Sequence, residues 1–342
     1  MTARHRVVIT GVGAVTSAMR GGYEAVARAL AAPAPTDTEH IDRALAELVD
    51  GTEARRLSRV SQLTVAAARL AVADAEMVQG SALALVVGTE LGDLRSTVAF
   101  ANGYLARGPA GLSPLLFPNT VMNTMAAATA IAVGARDASL TINAPTVAGE
   151  LAITRAAAGV ASGRFPAALA GGVDEIDPTV AAVLTEAGAP LVARGEGAAF
   201  LVLEPYDTAF ARGAHIRGEV LSAVSGALQA SPHAVGRRVS PRVVGRALTE
   251  AGLDAESLRV VCSAEIGDAA RDAWESAVLE AALGHARPRL VTLGRLFGES
   301  SALGPLKVLA AALDGPGLVH GLARGGSEVA LVIGPRLPGF KP

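Results

Sequence analysis

The sequence has one cysteine, Cys262, among 342 residues, only 3% aromatics, and no marked excess of either charge. A single cysteine leaves no internal disulfide and no multi-cysteine metal site, and it fits a reducing compartment. With 30 Lys and Arg against 32 Asp and Glu, the net charge of −2 provides no field to attract nucleic acid or an anionic membrane. So few aromatic rings also exclude a base-stacking platform. Although 51% of the residues are apolar, no run approaches the roughly 20 needed to span a bilayer. The opening MTARHRVVITGVG enters a strand pattern directly, without the charged, apolar and small-residue zones of a signal peptide. These absences predict a cytoplasmic protein whose partners are small molecules or other proteins, with no cofactor and no metal.

What is present is a regular alternation of strand and helix. Strand patterns at 6–15, 81–93, 138–144, 167–173 and 197–204 interleave with helical ones at 61–75, 123–135 and 148–163. The order then repeats, with strands at 216–224, 257–268 and 288–293, helices at 241–253, 269–284 and 300–313, and two closing strands. Alternation of this kind predicts a layered α/β protein with mixed sheets, in two halves at 1–205 and 206–342. Residues 61–75 place Leu63, Ala66, Ala67, Leu70 and Ala71 on one face, an Ala-rich helix able to pack closely. Two segments break the rhythm: 21–51 reads as helix, Pro-containing loop, helix, and 222–241 as a Ser-, Gly- and Pro-rich loop. GVGAV at 11–15 reads as the turn after the first strand; it lacks the third glycine and the later acid of a dinucleotide fingerprint.

The chemically informative stretch is TINAPTVAGELAI, residues 141–153: a strand, a turn at Pro145 and a helix beginning near Gly149. Enzymes place nucleophiles on such elbows because the backbone N–H groups and helix dipole favour developing negative charge. The turn offers neither Ser nor Cys, only Thr146. A threonine attacks only when a base takes its proton. The six histidines, His5, His40, His215, His233, His285 and His320, read as surface or packing residues, with loops near His233 and His320 able to line a cavity. Cys262, at a strand end, reads as a small buried hydrophobe. Glu299 reads either as a base or as a helix N-cap or first-turn acid beside Ser300 and Ser301.

Seven strings taken together, in order, resemble a β-ketoacyl synthase of the thiolase superfamily: RVVITGVGAVTS, SRVSQLTVAAARLAVADA, LVVGTELGDL, LSPLLFPNTVMNTMAAATAIAVGA, AALAGGVDEI, GEGAAFLVLEPYDTAFARGAHIRGEVL and RGGSEVALVIG. The resemblance implies a thiolase-like fold, duplicated βαβαβαββ halves in a five-layer α-β-α-β-α sandwich, dimerising through the strand at about 139–143. It also implies that the family's cysteine nucleophile corresponds to Thr146 and its two histidines to Val260 and Glu299, so that all three catalytic positions are changed. ARGGSE at 323–328 is similar to the family's glycine-rich oxyanion turn. A ketosynthase-like chain without its nucleophile resembles the chain-length factor of type II polyketide systems making polyenes or aromatic products. Such a subunit pairs with a catalytic ketosynthase, meets the acyl carrier protein through that complex, and shapes the acyl-chain tunnel. Phe117, Thr120, Met122 and Met125 are then the candidate tunnel and interface residues. The alternatives are a repurposed acyltransferase or hydrolase using Thr146 or Cys262, and a homodimeric scaffold.

Overall fold

The computed structural model describes residues 5–33, 38–77, 82–188, 192–227, 239–323 and 325–337. Its strands are β1 Val7–Thr16, β2 Arg20–Gly21, β3 Ala84–Thr89, β4 Ser139–Asn143, β5 Ala168–Asp174, β6 Gly197–Pro205, β7 Gly218–Ala227, β8 Val260–Cys262, β9 Arg289–Val291, β10 Gly317–Leu322 and β11 Ser327–Gly334. The hydrogen-bonded path runs β4-β3-β5-β6-β1-β7-β11-β10-β8-β9, with β2 a short partner of β1. Read outward from the β1–β7 junction, the two sides carry the same order, and β1 meets β7 over only Val7–Ile9. The sequence pattern is thus used twice, giving two five-stranded mixed sheets joined along a short seam.

Three apolar layers follow from the side-chain patterns. Between the sheets, the helices Ala148–Ala161 and Leu303–Asp314 pack on each other and bury Ile153, Ala156, Val160, Leu306 and Leu309. Each such large side chain contributes about 1.5–3 kcal/mol relative to exposure. Outside the first sheet, Arg59–Asp74 and Thr124–Val133 enclose Leu63, Ala66, Ala67 and Leu85. Outside the second, Arg242–Ala251 and Ala269–Leu283 enclose Val244, Val261, Trp274 and Val278. This is the five-layer α-β-α-β-α arrangement expected from the sequence.

Two local expectations change. The GVGAV glycines end no strand; β1 continues through them to Thr16. A Cβ on Gly13 would lie 2.2 Å from the Ala67 carbonyl oxygen, so glycine is there to seat the Ala-rich helix against the strand. Residues 222–227, expected as the start of a loop, are strand instead, because Ser222, Val224 and Gly226 pair with β11 in register. Residues 228–238, which include His233, lie outside the described residues.

Candidate functional site

The elbow is present, and it is strained. β4 ends at Asn143, the helix starts at Ala148, and Thr146 between them has φ of 60°. The Val147 N–H donates to the Pro145 carbonyl at 2.8 Å, closing a γ-turn with Thr146 at its apex. A β-branched residue in this conformation costs about 1–3 kcal/mol. Replacing Thr146 by glycine is therefore expected to stabilise the chain by about 1 kcal/mol. Denaturant titration checks this; a loss of stability would mean that the hydroxyl, not the turn, matters there.

The chamber in front of Thr146 is almost filled. The remaining cavity measures about 10 Å³ and is lined by Thr146, Ser263, Ala264, Arg271, Glu299 and Lys307, among others. That is room for about one water molecule. Beside it the backbones meet: a Cβ on Gly149 would lie 2.0 Å from the Ser301 carbonyl oxygen, so only glycine lets the two central helix entrances touch. The Asp174 carboxylate clamps the same turn, accepting the Ser301 N–H at 2.7 Å while also holding Thr89 and the Glu90 N–H.

Two buried charge networks occupy the space around the elbow, and a third lies behind it on the outer face of the second sheet. Glu299, 2% exposed, accepts from Arg271 Nη1 at 3.1 Å and from Arg194 Nη1 at 2.8 Å. Arg194 reaches on to Glu90 at 2.5 Å, and Arg271, itself 2% exposed, donates to the Ala264 carbonyl at 2.8 Å. Lys307 forms an ion pair with Glu150 across the two central helices and donates to the His320 carbonyl at 3.0 Å. The His320 ring, fully buried, sits between Glu275 (Nδ1 to Oε1, 2.6 Å) and Glu328 (Nε2 to Oε1, 3.2 Å).

Burial alone would push the His320 imidazole down, but the hydrogen bonds to Glu275 and Glu328 outweigh it and hold it up at about 9. Because its folded value lies above the ordinary 6.5, its contribution to stability is complete below 6.5 and is lost as pH rises through about 9. The loss is on the order of 3 kcal/mol. Glu175, just beyond β5, is pushed up to about 7 by burial and by Asp93 and Glu196, against Arg95. It therefore adds a fall between its ordinary 4.5 and about 7. Equilibrium unfolding across pH is expected to show stability declining toward pH 9, with His320→Gln flattening the upper part of the decline.

The residues singled out in the sequence divide accordingly. Thr146 and Glu299 share the small cavity. Thr146 Oγ1 has a single partner, the Leu322 carbonyl at 3.3 Å, and among the described residues no side-chain base reaches it. Glu299 is not an N-cap: the helix after it starts at Leu303 with Ala302 as its cap, and the carboxylate is taken by two arginines. Val260 is not brought to the cavity. It is a β8 residue packed into the central core, and the chain reaches the cavity only after the strand ends, at Ser263 and Ala264. Cys262 lies in that core as well, 0% exposed, and burial pushes its thiol up to about 12, which removes the thiolate a reactive cysteine needs. His5, His215 and His285 are exposed and His40 is half-buried.

Of the tunnel and interface candidates, Phe117 is 59% exposed and Met122 37% exposed, while Thr120 is half-buried and donates to the Phe117 carbonyl at 2.8 Å. Met125 must be withdrawn from that set. It is 0% exposed and packs inside the chain's own outer layer, on the face of its helix that meets Arg59–Asp74. The opposite face carries Ile131, 85% exposed, on a helix that is apolar all round. This helix touches β4, which among the described residues pairs with β3 alone, and the 117–120 turn. An unpaired strand edge therefore adjoins an apolar surface that includes Leu115, 87% exposed, and Val121. Signals for the missed residues were uneven. Lys307 stands alone in an apolar helix, whereas Arg194 and Arg271 meet Glu299 from 105 and 28 residues away.

Comparison with known proteins agrees with this architecture. The model of the beta-ketoacyl synthase N-terminal domain matches residues 25–209. A 3-oxoacyl-[acyl-carrier-protein] synthase 2 of Synechocystis sp. is 26% identical over 82% of this chain and 78% of its own length. A polyketide beta-ketoacyl synthase 1 of Streptomyces virginiae is 30% identical over 76% of this chain and 70% of its own. Among solved structures, the ishigamide ketosynthase/chain length factor superposes with a TM-score of 0.87 at 25% identity, covering 98% of this chain and 100% of that one. Fold, elbow and sequence agree that the chain belongs to the beta-ketoacyl synthase family.

Proposed function

We propose that this chain is a noncatalytic ketosynthase-like subunit, a chain-length factor, of a type II polyketide system. It pairs with a catalytic ketosynthase and forms the far wall of the acyl-chain tunnel. The observation that carries the reading is the chamber at Thr146. With about 10 Å³ of space, no side-chain base at Thr146 among the described residues, and Glu299 held by two arginines, it leaves no seat for an acyl thioester. Repurposed chemistry at Thr146 lacks space and, among the described residues, a base, and at Cys262 it lacks access. Resemblance to a ketosynthase/chain length factor structure supports the pairing role. So does the free edge of β4 with Phe117, Met122, Leu115 and Ile131 exposed beside it.

In this reading β4 aligns with the partner's edge, and Phe117, Thr120 and Met122 face the partner's pocket. The acyl carrier protein meets the complex on the catalytic subunit. Co-expression with a ketosynthase that retains its cysteine and both histidines tests the pairing. The two chains are expected to co-purify and to condense malonyl units only together. Ile131→Asp should weaken the pair by about 30-fold or more, the effect of losing about 2 kcal/mol at a buried anchor. Met122→Trp, by filling the tunnel end, should leave the pair intact and shorten the product. Failure to co-purify, with a stable self-dimer instead, would favour a scaffold.

A further inference from the structure

A second cavity, of about 580 Å³, lies on the outer face of the second sheet, between the helix Ala269–Leu283 and the edge strand β9. It shares only Ser263 and Glu265 with the small cavity at Thr146. Its origin is topological. Val261 and Leu290 are register partners on one face of the sheet, but the helix covers β8 and leaves β9 bare, so Leu290 is 55% exposed. The gap falls in the 300–1,000 Å³ range of small-molecule sites. Leu279, Leu283 and Leu290 give it an apolar wall.

Its polar side is acidic and incompletely matched. Glu265 and Asp272 share Arg295, and Asp272 also accepts the Ile266 and Gly267 N–H groups. Arg287 turns away, donating to the Gly284 and Ala286 carbonyls. At the mouth Glu280 accepts from Ser276 at 3.3 Å and from no other described residue. Inside, Glu275 lines the cavity and is 2% exposed. Its Oε1 is held by the Ala264 N–H and by His320, both at 2.6 Å, but no donor among the described residues reaches its Oε2. Glu275 and Glu328 share the one imidazole of His320, two acidic side chains against a single basic one. A carboxylate oxygen that faces the cavity without a protein donor is open to a ligand that brings both a donor and a positive charge.

We propose that this cavity binds an alkylammonium group, its charge donating to Glu275 Oε2 and its chain lying along Leu279, Leu283 and Leu290. A free amine and the lysine side chain of a partner supply the same chemistry. Calorimetric titration of the whole chain with n-hexylammonium, hexanol and hexanoate tests it, with Nα-acetyl-lysine methylamide as the arm representing a partner's lysine. Hexylammonium is expected to bind at least tenfold more tightly than hexanol or hexanoate. Displacement of hexylammonium by the lysine analogue points to a partner as the source, and its failure to displace points to a free amine. Glu275→Gln should weaken hexylammonium at least tenfold. Because that change also touches His320, Ser276→Trp, an exposed position at the mouth, provides a second test and should weaken binding equally with the fold unchanged by circular dichroism. Binding that is absent, equal for all three probes, or unaffected by Ser276→Trp would overturn the proposal.

Discussion

Glu299→Ala is expected to destabilise the chain by about 3–5 kcal/mol, the cost of breaking a buried ion pair and leaving a charge behind. The charge left is Arg271, 2% exposed, with Arg194 losing one of its two carboxylates. Glu299 also ties the halves together, since Arg194 and Glu90 belong to the first half and Arg271 to the second. Chemical denaturation measures the effect. If Glu299 were instead a base serving Thr146, the same substitution would abolish an activity and leave stability nearly unchanged.

Lys307→Met should cost a similar amount, about 3–5 kcal/mol, because it strands Glu150 at 1% exposure between the central helices. The double variant Glu150→Leu with Lys307→Met should regain most of that loss, since an apolar pair of similar volume removes the desolvation of both charges. A double variant as unstable as the single one would show that the lysine's hydrogen bond to the His320 carbonyl, rather than charge balance, holds this layer.

The layers were legible because strands and helices here follow their own periods, and the Ala-rich helix announced the close approach it makes to β1. Thr146 was placed correctly on its elbow, since strand, turn and helix adjoin in the sequence. What failed were positions reached by counting through a turn. The 263–268 segment is drawn in by Asp272, which accepts the Ile266 and Gly267 N–H groups, so Ser263 and Ala264 face Thr146 where Val260 was expected. Met125 failed for a different reason. Its helix is apolar on every side, so no period says which face turns inward. The charge networks were mostly illegible, because an ion pair between distant segments leaves no local pattern. Lys307 is the exception, one of only two lysines in the chain and set in a run of leucine, valine and alanine.

Charge fills the volume around Thr146 for a reason that lies in packing. A site with Asp174, Glu90 and buried backbone donors holds polar groups that need partners. Arginines and a lysine satisfy them and occupy the volume at once. The result keeps the strained elbow and the scaffold that presents β4.

Intact-protein mass spectrometry of the co-purified pair, after incubation with an acyl thioester, tests the central claim most directly. The account predicts an acyl adduct on the catalytic ketosynthase and none on this chain, with Thr146→Ala changing nothing in the labelling. An acyl adduct on Thr146 or Cys262, or turnover by this chain alone, would contradict it.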